Sequence, residues 1–382
     1  MNQSNVQTFL TPEQFLQRTQ FRTISVVENV PYTDGQTQRI EIPASGLGHF
    51  ILLQVRGTVT VAGSVSGGTF KSYPAPVPYG LLKRIQFGNN NAFNMVDMSG
   101  WAMAKYARAR YAFDPYSAQN QSRFSNVNLG ALGCSGQITP GGNVTAQTYS
   151  VNFTIPIPLS YNNRGEKGLI ILQSSATKYT LVLDWEQITG GITATGGTNG
   201  LFNALTGTGL SVTSNIQVSV LLEYAEFVPG ADAILDMFVS RTSQVKAPLI
   251  QGQNEIILNQ SLDFLTMMQV EIVNNGTVVD TNTTISQVNL QHNGNIFDVR
   301  TTGHLLNARN FYASNGAIPQ DGTLTIDLGR RNGLPEQRDL YDAMDIGKVT
   351  DAKLQFTYSS APTGVNQIES WFESIRYLAQ TA

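Results

Sequence analysis

The sequence predicts a mainly β protein made of two tandem β-sandwiches. Three observations carry that prediction. Apolar and polar residues alternate with period two, as in Thr145 to Ile157 (TAQTYSVNFTIPI), which is the pattern of a half-buried strand. Two long tracts, Phe124 to Asn163 and Gln187 to Leu222, contain no charged residue and are punctuated by glycine. A set of segments then recurs in the same order along the chain, which is the signature of an internal repeat.

The elements follow in order. Thr11-Pro12-Glu13-Gln14 reads as a capping box with proline in the first turn, predicting a short helix to about Thr19. Strands are expected at Arg39 to Pro43, His49 to Val61, Arg84 to Phe87, Thr145 to Ile157, Tyr179 to Trp185 and Asn215 to Phe227. Further strands are expected at Glu255 to Leu258, Thr266 to Val273, Ser286 to Leu290, Thr323 to Leu328, Lys353 to Tyr358 and Ile368 to Leu378. Val, Ile, Thr, Phe and Tyr fill these runs, and Asn and Gly separate them. Ser99 caps a second helix, with Trp101, Lys105 and Arg108 spaced for one side, and Thr302 caps a third.

The repeat is best seen around those two helices. Ile85 to Gly100 aligns without a gap, at an offset of 203, with Val288 to Gly303. Both copies read strand, Asn-rich turn, short strand, capped helix. Leu52-Leu53-Gln54-Val55 matches Met267-Met268-Gln269-Val270 upstream, and Lys178-Tyr179-Thr180-Leu181 matches Lys353-Leu354-Gln355-Phe356 downstream. The shifting offsets, 215 and then 175, place insertions in the first copy near Ala62 to Tyr79 and within the uncharged tracts. The expected organisation is an N-terminal arm and helix over 1–22, a first sandwich with long loops over 23–229 and a smaller second one over 230–382. Antiparallel chains of this strand number form two-sheet sandwiches of eight-stranded jelly-roll type.

Composition and motifs exclude more than they suggest. Charged residues are 13% of the 382, about half the usual share, and the net charge of -3 argues against a nucleic-acid coat. No uncharged apolar run approaches the roughly 18 residues of a membrane-spanning helix. The polar Met1 to Leu10 lacks the features of a secretion signal. The single Cys134 excludes an internal disulfide and fits a reducing compartment. His49, His292 and His304 are scattered and lack metal-ligand spacing. Asp339, Asp342, Asp345 and Asp351 could hold Ca²⁺, but without EF-hand spacing they read as a solvated loop with Arg330, Arg331 and Arg338. Asp184 and Glu186 alternate along one strand like a glycosidase pair, yet also read as the exposed end of a strand. No catalytic, cofactor or metal residue is assigned.

Two jelly rolls in tandem, each with a helix after its strand-turn-strand, resemble the double jelly-roll major capsid proteins of internal-membrane icosahedral viruses, those of tectivirus-like bacteriophages above all. Leu82 to Phe87 leading to Ser99-Gly100-Trp101, then Ile157 to Tyr161, Gly168-Leu169-Ile170 and the strand around Leu222 to Tyr224 carry the resemblance, which spans nearly the whole chain. It implies a non-enzymatic structural protein of the virion, assembled in the host cytoplasm, with no cofactor and no direct nucleic-acid contact. It also implies pseudo-hexagonal homotrimers that meet neighbouring trimers, penton and minor capsid proteins. The loops Ala62 to Tyr79, Phe124 to Thr145 and Gln187 to Leu210 would form towers or subunit contacts. The N-terminal helix, with Phe15, Leu16, Arg18 and Arg22, would lie near an internal viral membrane, though a helix packed only on protein fits equally. A tandem jelly-roll carbohydrate-binding spike or adhesin is the alternative, and a hydrolase using Asp184 and Glu186 a third reading.

Overall fold

The structure, a computed structural model, describes residues 8–9, 14, 17–71, 77–89, 94–111, 147–161, 169–172, 177–227, 233–234, 238–258, 264–294, 296–313, 323–328, 343–349 and 351–377. It is mainly β and divides into two compact units, Met1–Ala107 with Asp114–Met237, and Arg108–Phe113 with Phe238–Ala382.

The first unit is built from β1 (Thr19–Pro31), β2 (Thr37–Ile42), β3 (Leu47–Phe70), β4 (Leu82–Asn89), β5 (Asn94–Met98), β6 (Gln147–Pro158), β7 (Tyr179–Trp185) and β8 (Phe202–Phe227). Helix α1 (Gly100–Tyr111) follows β5. Antiparallel ladders join β1-β8-β3-β6 into one sheet and β2-β7-β4-β5 into the other. Alternation does the packing. On β6, Tyr149, Val151, Phe153, Ile155 and Ile157 are buried while the residues between them are half-buried or exposed. Phe87, Phe153, Leu181 and Val218, all fully buried, bring the two sheets together over one core.

The second unit repeats this plan with β9 (Phe238–Ala247), β10 (Gly252–Ile257), β11 (Phe264–Asn274), β12 (Ile285–His292), β13 (Ile296–Thr301), β14 (Thr323–Asp327), β15 (Lys353–Tyr358) and β16 (Gln367–Tyr377). A one-turn helix, α2 (Thr281–Thr284), precedes β12, and α3 (Gly303–Ala313) follows β13. Its sheets run β9-β16-β11-β14 and β10-β15-β12-β13. Val270, Leu290 and Leu354 are fully buried at its centre. Each unit is therefore an eight-stranded jelly roll among the described residues. Shorter two-residue strands decorate both, including Ile170–Ile171 beside β3 and Met344–Asp345 beside β11.

The repeat holds at single-residue resolution around the helices. In β4–β5, Ile85 faces Met98 and Phe87 faces Val96, with a bulge between Phe87 and Gly88. In β12–β13, Val288 faces Thr301 and Leu290 faces Val299, with the bulge between Leu290 and Gln291. Every one of these positions is 203 residues from its mate. The caps repeat as well: Ser99 Oγ accepts from Ala102 N at 3.2 Å, and Thr302 Oγ1 accepts from Leu305 N at 3.3 Å. Gly100 and Gly303 repeat for a steric reason, since a Cβ on Gly100 would lie 2.5 Å from Leu82 Cβ and one on Gly303 3.0 Å from Ile285 Cβ.

The two flanking alignments need a correction of two residues. Phe87 pairs with Leu181 on β7, whereas its mate Leu290 pairs with Leu354 on β15, so the offset there is 173 and not 175. On β3, Gly48 faces Tyr224 and Phe50 faces Glu223, leaving His49 in a bulge. On β11, Leu265 faces Ser374 and Met267 faces Glu373, leaving Thr266 in the same bulge. His49 thus corresponds to Thr266 at an offset of 217 rather than 215. A two-residue slip keeps every side chain on its own face, so the alternating pattern could not reveal it.

Other expectations change too. Ala62 to Phe70, expected as the start of a loop, continue β3, and 202–210, expected inside a loop, begin β8, to which β3 is laddered. Their glycines are not turn punctuation. Gly63 (φ 95°) and Gly207 leave so little room that a Cβ on either would strike a facing backbone carbonyl, at a ladder with several register shifts. Phe124 to Thr145 lies outside the described residues. At the N-terminus Gln14, Gln17 and Arg18 are helical and β1 begins at Thr19. β1 and β9 are strands that the sequence pattern did not single out.

Candidate functional site

The residues whose spacing suggested a catalytic pair each bond to different neighbours. β7 ends at Trp185, so Glu186 sits beyond the strand and does not share a face with Asp184 by alternation. Asp184 accepts from Thr37 Oγ1 at 2.6 Å. Glu186 lies 3.5 Å from Lys83 Nζ and 3.9 Å from Lys71 Nζ, while its backbone carbonyl accepts from the Tyr32 hydroxyl. Burial, and next the charges of Asp34 and Glu186, raise the Tyr32 hydroxyl far above the ordinary phenol value, so it stays a neutral donor. Each carboxylate is committed to its own neighbours.

The histidines and the acidic segment are equally dispersed. His49 Nδ1 lies 2.9 Å from Glu223 and His292 Nδ1 2.8 Å from Asp298, while His304 is exposed on the first turn of α3. Asp345 pairs with Lys348 at 3.0 Å, whereas Asp339, Asp342 and the arginines at 330, 331 and 338 lie outside the described residues, as does Cys134. Among the described residues no group of three His, Cys, Asp or Glu side chains is arranged to hold a metal ion. No helix among them is long and apolar enough to cross a membrane. Of the membrane-proximal candidates, Phe15 and Leu16 lie outside the described residues and Arg18 is helical and exposed. Arg22 is not on the helix. It stands on β1, where its Nε donates to Glu226 at 2.7 Å.

What the structure does build is a marked contrast between equivalent surfaces. In the second unit β11 and β14 are buried on both faces, and polar side chains are taken out of water with their partners. Glu369 accepts from Lys246 Nζ at 2.7 Å and Gln244 Nε2 at 3.0 Å. Burial, opposed by Lys246, still raises its carboxyl above the ordinary value, and neighbouring Glu271 adds to the rise. Arg110 and Glu373 form a fully buried ion pair, and Thr266 Oγ1 donates to the other oxygen of Glu373 at 2.9 Å. In the first unit the corresponding strand β3 buries alternate residues and leaves Phe50, Leu52 and Gln54 half-buried, and β1 is exposed along most of its length. Sequence reasoning found none of these polar clusters, because their members come from strands far apart in the chain.

Neither a protein-family model nor a curated protein sequence matches the chain. Solved structures do. The STIV MCP superposes with a TM-score of 0.64 at 14% identity, covering 95% of this chain and 99% of that one. The fold is the double jelly roll of viral major capsid proteins. A PBCV-1 virus capsid chain is similar with a TM-score of 0.58 at 12% identity, covering 94% of this chain and 95% of the other. The major capsid protein P2 from bacteriophage PM2 matches with a TM-score of 0.53 at 10% identity, over 95% of this chain and all of that one. A double jelly roll is thus matched from end to end, with both copies of the repeat included.

Proposed function

We propose that this chain is a structural virion protein, the major capsid protein, which forms pseudo-hexagonal homotrimers that tile an icosahedral shell. The end-to-end match to major capsid folds carries the reading: chains of this length and both of its jelly rolls recur there with nothing large left over. That the structural neighbours are capsid proteins supports a non-enzymatic, structural role. Composition supports self-assembly, because neutral Asn, Thr, Gln and Ser are desolvated at lower cost than unpaired charges, and a net charge of -3 limits repulsion between copies. Arginine outnumbers lysine 16 to 8, which suits contacts that use the planar guanidinium.

In this reading the partners are other copies of the chain, neighbouring trimers, and the penton and minor capsid proteins that complete a shell. The N-terminal helix around Phe15, Leu16 and Arg18 faces an internal membrane, and the extended β3–β8 arm or the segment 124–145 supplies towers. Electron micrographs of the source particle test it. Pseudo-hexagonal capsomers in a shell made mainly of this chain are expected, with a bilayer beneath; a particle whose shell lacks the chain would overturn the proposal.

A further inference from the structure

Arg309 on α3 is exposed and makes no hydrogen bond or ion pair among the described residues. It lines a cavity of about 330 Å³ whose walls come from the second unit alone: β13, α3 and the end of β14. Three other charged side chains share the lining, and each is already engaged. Asp298 Oδ2 lies 2.8 Å from His292 Nδ1, and Arg300 and Asp327 each interact with another group. Of the four charges at the cavity, the Arg309 guanidinium is the one without a counterpart. The rest of the wall is mainly apolar, from Val299, Leu305, Leu306 and Leu328.

The jelly roll itself does not demand these charges. At the offset of 203, Asp298, Thr301, Leu305 and Arg309 correspond to Met95, Met98, Ala102 and Tyr106. Those four are buried, none more than 4% exposed. Where the first unit places methionine and tyrosine, the second places a carboxylate and a guanidinium around a space. Arg309 follows Leu305 and Leu306 by four and three residues, so the cation and both leucines lie on one stripe of α3. A ligand in the cavity therefore meets a planar, two-pronged donor next to an apolar wall.

A guanidinium fork pairs bidentately with a carboxylate or a phosphate. The carboxylates of Asp298 and Asp327 in the same lining decide between them. A phosphate monoester, whose charge approaches two near neutral pH, is repelled more strongly there than a singly charged carboxylate. The volume lies at the lower end of the range for small-molecule sites, which limits the apolar part to a short chain. We propose that this cavity binds a small amphiphilic carboxylate, with its charged end on Arg309 and its chain against Leu305, Leu306 and Leu328. Because every lining residue belongs to the second unit, binding needs no second copy of the chain.

Calorimetric titration of the full chain with octanoate tests the site. One octanoate per chain is expected, with a dissociation constant of about 0.1–5 mM for a ligand of this size. Octanamide, which keeps the chain and lacks the charge, should bind about tenfold more weakly. Octyl phosphate should also bind more weakly than octanoate. Arg309→Gln, at an exposed position where folding is checked by circular dichroism, should weaken octanoate by about tenfold or more and leave octanamide unchanged. Leu305→Ser, also at an exposed position, should weaken both ligands alike. Absence of octanoate binding at about 10 mM, or equal binding by the parent and Arg309→Gln, would show that this is not a carboxylate site. Tighter binding of octyl phosphate than of octanoate would overturn the choice of ligand.

Discussion

Buried polar residues show how a chain so poor in charge uses the charges it has. Glu369 is 2% exposed and keeps its place on β16 by accepting from Lys246, Gln244 and Gln367. Its carboxyl is raised because burial outweighs those donors. The folded chain consequently holds the Glu369 proton more tightly than the unfolded chain does. Its contribution to stability is full below the ordinary carboxylate value of about 4.3 and is lost as the pH rises through the higher folded value. Glu369→Gln should remove that slope. In urea unfolding, the difference between variant and parent should move in the variant's favour between about pH 4 and about pH 7; a difference independent of pH would contradict the assignment. Nothing in the sequence around Glu369 marks it as buried, since Glu369 and Glu373 share one face of β16 with Trp371 and Ile375, and neither face of the strand reads as purely apolar or purely polar.

At the scale of elements, most of the fold was legible and the failures have a common cause. β7 (Tyr179–Trp185) and β15 (Lys353–Tyr358) have the bounds that alternation predicts, because one face is apolar and the other polar in each. β1 and β9 were missed because neither shows a clear apolar period: β1, at a sheet margin, is exposed along most of its length, and β9 reads VSRTSQVK. In β1 the ladder to β8 is also broken by register shifts around Val220, which disturbs the period further. The repeat was legible where a gapless stretch includes a turn, a cap and a glycine, and was two residues out where only alternating strands were available. Gly100 and Gly303 belong to this scale, each starting a helix against the preceding segment. Gly→Ala at an ordinary helix position is favourable by about 1 kcal/mol. Here Gly100→Ala and Gly303→Ala should each instead destabilise by about 1–3 kcal/mol in chemical denaturation, because the added methyl meets Leu82 or the Thr281 carbonyl. Tolerance at one site and not the other would break the claimed equivalence.

For the whole molecule, low charge and tandem sandwiches become parts of one account. In the proposed assembly, neutral polar surface lowers the cost of covering one copy with another, and each of the two units supplies an eight-stranded jelly roll to it. The candidate site was the least legible part of the sequence. Asp184 with Glu186 and the acidic segment looked like chemistry only because spacing along the chain was the sole guide, whereas the cavity at Arg309 gathers side chains from β13, α3 and β14 in a way that no spacing displays. The Glu223–His49 contact joins residues 174 positions apart, and its likeness to Glu373–Thr266 depends on a bulge register. Native mass measurement of the purified full chain at micromolar concentration tests the central claim most directly. A closed trimer, at three times the 41.6 kDa chain mass, is the expected species; a stable monomer under the same conditions would contradict the account.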